Sequence, residues 1–232
     1  MASRSLTPKG RGPWITLLIL IAIGVKFYIE SQQPPVAKSS HPAATAAESA
    51  TQLEKISGYE VYRNCTLAEA RNNDGDSFMV RLPSGKQAEF RLYFVDTPES
   101  AFRSYPGGGT NHQRIADQAA EMGHITPEQA VEIGKQGKHY TLELLASRPF
   151  TIYTRWDSPF HDDRYHAHLE VQQDSKTRWL DELLIERGLA RIKTKPADMP
   201  DGTPASKHLA YLKQLERAAK QAKRGVWRFQ TK

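Results

Sequence analysis

Arg91 stands five residues before Asp96, and Asp96 opens the run Asp96-Thr97-Pro98-Glu99 at the polar end of Phe90-Arg91-Leu92-Tyr93-Phe94-Val95. A guanidinium and two carboxylates at the end of an apolar strand are costly to desolvate unless they serve a ligand or one another. About twenty residues earlier, Asp74-Gly75-Asp76-Ser77 brings a second acidic pair at the mouth of a predicted hairpin. Hard cations take oxygen ligands, so carboxylates from two chain segments can gather one. With a guanidinium beside them for an anionic oxygen, the set points to metal-assisted chemistry on a phosphodiester.

Each of these signals has a plainer reading. Asp74-Gly75 alone is an ordinary turn dipeptide and gains meaning only beside Asp96. An EF-hand is excluded, because the sixth position counted from Asp74 is Met79, where that loop needs glycine. His166 and His168 share a strand face and would suit zinc, but no further ligand cluster accompanies them, which favours packed strand histidines. Lys213, Arg217, Lys220, Lys223 and Arg224 read as a solvated helix face with a loose attraction for nucleic acid. Trp227 reads as a core anchor, and Cys65, the only cysteine, as a small buried strand residue that precludes an intrachain disulfide.

The elements that must position these residues begin with strands. Residues 59–70, 77–82 and 87–95 form a predicted meander, its second turn at Pro83-Ser84-Gly85-Lys86. Thr126 is placed to cap a helix with Pro127 at its first position, running to about Ser147. Residues 149–156 and 166–173 read as two further strands. Residues 180–187 and 206–224 read as helices stopped by Gly188 and Gly225. Residues 102–124, with Gly107-Gly108-Gly109, are expected as a surface loop beside the site. Five strands with a helix after the third is the plan of an α+β domain built on a five-stranded OB-type barrel, here with three helices.

That domain is expected over residues 56–230. Ahead of it, Arg4, Lys9 and Arg11 precede a twelve-residue apolar run at 14–25, which reads as a signal peptide or signal-anchor segment over 1–30. The anchor is favoured, since no small-x-small site closes the run, and Lys26 can snorkel while 27–29 lengthen it. Either way the remainder is expected outside the cytoplasm, secreted or periplasmic if the signal is cleaved. Residues 31–55, rich in Pro, Ala and Ser, read as a disordered linker. The formal charge is +6, of which the first thirty residues supply half, so the domain is only mildly basic. That permits nucleic-acid binding without demonstrating it, and no protein partner can be inferred.

Over residues 57–228 the chain resembles the staphylococcal nuclease (thermonuclease) family. The resemblance is carried by Asp74-Gly75-Asp76-Ser77, the run from Arg91 to Glu99, Glu186-Arg187-Gly188-Leu189-Ala190 and Lys223-Arg224-Gly225-Val226-Trp227. It implies a Ca²⁺-dependent nuclease acting on DNA or RNA, which cuts the 5′ phosphorus–oxygen bond and leaves 3′-phosphate ends. Within it, Asp76 and Asp96 correspond to calcium ligands with the Thr97 main-chain carbonyl, Asp74 supports the site, Glu99 is the general base, and Arg91 is the first of two phosphate-binding arginines. Aligned on Asp163-Arg164-Tyr165, the second arginine's place falls on Ala167. Aligned on the following strand, it falls on Arg164, the preferred register because it keeps Ala167 in phase. The family's stacking tyrosines are replaced by Lys193, Thr194 and Lys195, so Lys193 and Lys195 are expected to attract phosphate while base stacking weakens. The competing class is a non-catalytic nucleic-acid or protein-binding barrel at the cell envelope. One geometric difficulty stands: in a straight strand Arg91 and Asp96, five apart, face opposite sides. Their convergence requires strong coiling or a bulge.

Overall fold

The computed structural model describes residues 54–159 and 162–230. Ser57 and Gly58 both take left-handed backbone, φ 51° and 81°, and fold β1 (Glu54–Ile56) onto β2 (Tyr59–Leu67) through a two-residue turn whose twist matches the strands. β3 (Ser77–Arg81) joins β4 (Gln87–Leu92) through Pro83-Ser84-Gly85, where Gly85 has φ 85° and its N–H donates to Leu82 O at 2.8 Å. Five strands then close on one another. β2 pairs β3, β3 pairs β4, β4 lies parallel to β7 (Arg164–Gln173), β7 pairs β6 (Phe150–Thr154), and β6 returns to β2. Closure removes the barrel's edges, and β8 (Lys176–Trp179) extends the β7 hairpin outside it. The α+β OB-type plan is thus the observed one.

The barrel is filled from alternate positions, as the two-residue strand period requires. Phe78 and Val80, Phe90 and Leu92, Ile152, and Ala167 and Leu169 are all buried. Cys65 is fully buried beside an irregularity in the β2–β6 pairing between Tyr62 and Cys65, where Asn64 adopts φ 59° and lets β2 bend around the core.

Two expectations about elements require correction. Among the described residues there are four α-helices, not three: residues 102–124 contain α1 (His112–Glu121) rather than only a loop. Ile115 and Ala119, one turn apart, bury against Ala130 and Val131 of α2 (Pro127–Ser147). The start of α1 carries no side-chain cap bond and no acid in its first turn, so the usual signals of a helix N-terminus are missing. α2, by contrast, starts with the expected Thr126 cap in a reciprocal capping box with Gln129 and Pro127 behind it. α3 (Leu180–Glu186) and α4 (Ala205–Gln221) complete the set, followed by a 3-10 turn over Gly225–Phe229 that buries Trp227.

The second correction concerns the strand expected over 87–95. It breaks after Leu92, and β5 (Val95–Asp96) pairs instead with β9 (Arg191–Ile192) in a separate two-stranded sheet. The break is at Phe94, a bulky residue held at φ 66°, a conformation that persists only when its surroundings impose it. The readings of 1–30 as an export segment and of 31–55 as a linker fall, but for the last two residues, outside the described residues. No helix among the described residues is long and apolar enough to cross a membrane.

Candidate active site

The corner at Phe94 resolves the difficulty of Arg91 and Asp96. Segment 193–195 clamps it: Lys193 N and Thr194 N donate to Phe94 O at 2.8 and 3.2 Å, and Phe94 N donates to Lys195 O at 3.1 Å. The Thr194 hydroxyl lies 2.9 Å from Leu92 O and 3.2 Å from Val95 O, where it donates on both sides of the break. The turned chain brings Asp96 round to Arg91, whose Nη2 donates to Asp96 Oδ1 at 2.7 Å. Residues with no aromatic ring to offer at 193–195 therefore shape the site through their main chain and the Thr194 hydroxyl.

The stretch from Thr97 to Glu99 is set by α2 crossing directly above it. A Cβ on Gly134 would stand 2.4 Å from Glu99 O and 2.5 Å from Pro98 O, so only glycine permits this approach. The Thr141 hydroxyl on the same helix donates to Gly75 O at 2.8 Å, tying the Asp74–Asp76 turn to the same support. Two chain segments far apart in sequence are in this way held against one helix.

The resulting cleft, about 330 Å³, is lined by Asp74, Asp76, Arg91, Thr97, Glu99 and Arg164 together with Arg103, Tyr105 and Arg114. Arg164 sits opposite Glu89 on the parallel β4–β7 ladder, two residues along the same face from Arg91. Ala167 pairs with Leu92 and is fully buried in the barrel core, away from the cleft. The guanidinium of Arg164 is held by Asp162, its Nε donating at 2.9 Å, so it is in reach of the cleft but engaged. Lys193 and Lys195 line a neighbouring cavity that shares Arg91 and Asp96 with His166. Both ammoniums are paired, with Glu121 at 2.8 Å and Asp157 at 2.6 Å. His166 and His168 are buried under Tyr93 and Phe94, and no group of three metal-binding side chains forms among the described residues.

Charge in the cleft is densely compensated. Asp96 accepts from Arg91, from Arg191 Nε at 2.8 Å and from Gln118 Nε2 at 3.3 Å, with Arg114 Nη2 at 3.8 Å. Glu99 faces Arg114 Nε across 3.2 Å at Oε1 and accepts from Asn111 Nδ2 at 3.3 Å at Oε2, while its own N–H donates to Gln118 Oε1 at 3.0 Å. Arg114, Gln118, Asn111 and Arg191 escaped the sequence reading. The first three lie on or before a helix with no start signal, and nothing in local spacing links them to Asp96. The basic residue directly after Gly188-Leu189-Ala190 was the one available pointer to Arg191.

Asp76 fits a cation better than it fits the protein alone. Burial, then the nearby Asp96 carboxylate, pushes its pKa well above the carboxylate range against the pull of Arg91. Its Oδ2 is buried with no hydrogen bond, the closest guanidinium nitrogen being Arg91 Nη2 at 3.4 Å, while Oδ1 takes only a 3.3 Å contact from the Thr97 hydroxyl. Burial likewise raises Asp74, whose Oδ1 accepts from Gly75 N at 2.9 Å. An orphaned carboxylate oxygen beside a second buried carboxylate is the kind of hard donor that an ion of the calcium type takes.

No curated protein matches the chain. The model of the family described as staphylococcal nuclease homologue matches residues 89–229, which include most of β4, Arg91 and Arg164, Asp96 to Glu99 and the four helices of the described residues. That match spans more than half of the chain, and on it, with the closed barrel and the cleft at its side, the chain belongs to the staphylococcal nuclease homologue family.

Proposed function

We propose that the protein is a calcium-dependent nuclease that hydrolyses phosphodiester bonds of DNA or RNA. The observation that carries this reading is one cleft lined by the Glu99 carboxylate, buried Asp76 and the guanidiniums of Arg91 and Arg164, with buried Asp96 bonded to Arg91. A phosphodiester is anionic and repels a nucleophile, so its hydrolysis needs fixed positive charge at the non-bridging oxygens and a base for water. Arg91 supplies that charge from the cleft wall. Arg164 joins it by exchanging Asp162 for the phosphate. Glu99, oriented by Arg114 and Asn111, takes the proton of the attacking water as the new oxygen–phosphorus bond forms. The 5′-oxygen then leaves, protonated from solvent, and the 3′ side keeps the phosphate. Asp76 and Asp96 with the Thr97 carbonyl would hold a calcium ion, which would supply further positive charge to the phosphoryl oxygens.

The export reading belongs to the same proposal: the basic residues Arg4 to Arg11 and the apolar run at 14–25 support work outside the cytoplasm, where calcium is abundant. A binding module without catalysis is the second reading, favoured by one feature. Asp96 is already paired with Arg91 and Arg191, and Arg164 with Asp162, so the resting site is electrostatically self-satisfied. Cleavage of single-stranded DNA by the full-length chain, with calcium or with chelator and beside Glu99→Gln, separates the two. Calcium-dependent cutting abolished by Glu99→Gln supports the nuclease. Binding without cutting under every condition supports the module.

A further inference from the structure

Only three large apolar or aromatic side chains are markedly exposed among the described residues, and two of them, Phe102 and Tyr105, lie on the short rim between Glu99 and α1. Tyr105 is 49 % exposed, lines the cleft beside Arg103 and Arg114, and contacts no other ring among the described residues. Phe102, in contrast, has a ring partner, packing edge-on against His112. Exposed aromatic surface next to guanidiniums is expensive in water and cheap once a flat, anionic ligand covers it.

The rim is built to hold that ring in place. Tyr105 N donates to Gly109 O at 2.7 Å and Gly108 N donates back to Tyr105 O at 3.1 Å, while Ser104 and Thr110 bridge below. Gly107 and Gly108, at φ 93° and 86°, make the reversal that ordinary side chains resist. Asn111, buried to 5 % exposure, accepts from Arg103 N at 2.7 Å and donates to both Ala101 O and Glu99 Oε2, which couples the rim to the carboxylate of the cleft. Segment 193–195, meanwhile, carries no ring and is committed to clamping Phe94.

We infer that Tyr105 is the platform on which an unpaired base of the substrate stacks, with Arg103 and Arg114 at the flanking phosphates, so that the cleft selects single-stranded polynucleotide. Bases inside a duplex keep their faces covered by their neighbours and cannot use a lone ring on a rim. The inference rests on the nucleic-acid reading of the site, and its test is arranged to fail separately from it.

The full-length chain carrying Glu99→Gln, in which cutting is expected to be lost, is titrated with a single-stranded oligonucleotide bearing 2-aminopurine. Companion titrations use the same strand with abasic sites and the same sequence as duplex. Fluorescence quenching with binding is expected on the base-containing single strand. Adding Tyr105→Ala should remove the quenching and weaken binding about tenfold, as loss of one base–aromatic stack implies. Tyr105→Phe should restore both, and the abasic strand should be indifferent to either change. Equal weakening on the abasic strand, or undiminished quenching with Tyr105→Ala, overturns the stacking role whatever the cleavage assay shows. If the unsubstituted protein cuts nothing while Tyr105-dependent quenching persists, the nuclease reading fails and the platform stands.

Discussion

Gly134→Ala pits helix propensity against packing at the point where α2 meets the candidate base. In an isolated helix the change would stabilise by about 1 kcal/mol, because alanine loses less backbone entropy than glycine. Here the new methyl carbon would stand 2.4 Å from Glu99 O, 2.5 Å from Pro98 O and 2.7 Å from the Glu99 carbonyl carbon. Relief requires α2 and the 98–99 segment to part by about 1 Å, since carbon contacts become favourable only near 3.5 Å. All three obstructing atoms are backbone, so no flexible side-chain end can give way. Overpacking of this kind costs about 1–3 kcal/mol, and the upper end applies. After the propensity gain the net loss is about 2 kcal/mol, or about 4–8 °C in Tm for a domain of this size. The same shift carries Glu99 away from its place beside Arg114, and a displacement of about 1 Å can lower turnover by about two orders of magnitude. Thermal melting and cleavage of single-stranded DNA measure the two effects separately. A Tm unchanged or raised would refute the packing argument. A lowered Tm with turnover intact would refute the claim that α2 sets the position of Glu99.

Other expectations follow from the same contacts. Thr194→Val keeps the side chain's shape but removes the hydroxyl that bridges the Phe94 corner, so stability should fall by about 1–2 kcal/mol; chemical denaturation checks this, and an unchanged midpoint would show that main-chain bonds alone hold the corner. Asp76→Asn should abolish the rise in Tm that calcium gives the unsubstituted protein, which is about 2.7 kcal/mol of stabilisation at a hundredfold excess over Kd; chelator should reverse the rise, and a calcium response that survives the substitution would place the ion elsewhere. Arg114→Ala should lower kcat/KM about tenfold with partial recovery in Arg114→Lys, and equal activity in all three would remove the guanidinium from the chemistry.

The cluster of Asp181, Glu182 and His208 gives a pH dependence whose sign can be worked out. Burial, reinforced by the Asp181 carboxylate, raises Glu182 to about 7, while Arg178 at 3.7 Å pulls the other way. Burial alone would lower His208, but the bond from its Nε2 to Asp181 Oδ2 at 2.7 Å outweighs that and leaves it above its ordinary value. Both folded pKa values exceed the unfolded ones, so both groups stabilise fully at low pH; His208 loses its contribution only as pH climbs past 6.5, and Glu182 loses its own as pH climbs past 4.5 and through about 7. Glu182→Gln should therefore gain on the unsubstituted protein over that interval, by up to about 2 kcal/mol once solvent screening is allowed for. Parallel urea melts across the interval would refute the assignment.

Local order was legible in the residues themselves. The alternation in β3 and β4, the Thr126-Pro127 start of α2 and the Gly188 stop rest on contacts within a few residues, which sequence spacing reports directly, whereas α4 ends at Gln221, short of the Gly225 stop expected for it, with a left-handed residue at Lys223. Asp96, Glu99 and Arg91 declared themselves because charge at the end of an apolar strand costs too much desolvation to persist without a ligand or a partner. α1 did not, since its capping signals are absent and its apolar positions gain their meaning only against Ala130 and Val131.

What the tertiary structure alone decided is how these residues meet. Arg91 and Asp96 converge because a left-handed Phe94, clamped by a segment a hundred residues later, turns the chain between them. The parallel pairing of β4 with β7 sets Arg164 along the cleft face and Ala167 in the core. Arg114, Gln118 and Arg191 come to Asp96 from a helix and a strand that share no local pattern with it. The sequence determines which side chains carry charge and which stretches curl or extend, because those preferences are local. Convergence of distant groups depends on register, corner and helix crossing, which arise only when the whole core is packed.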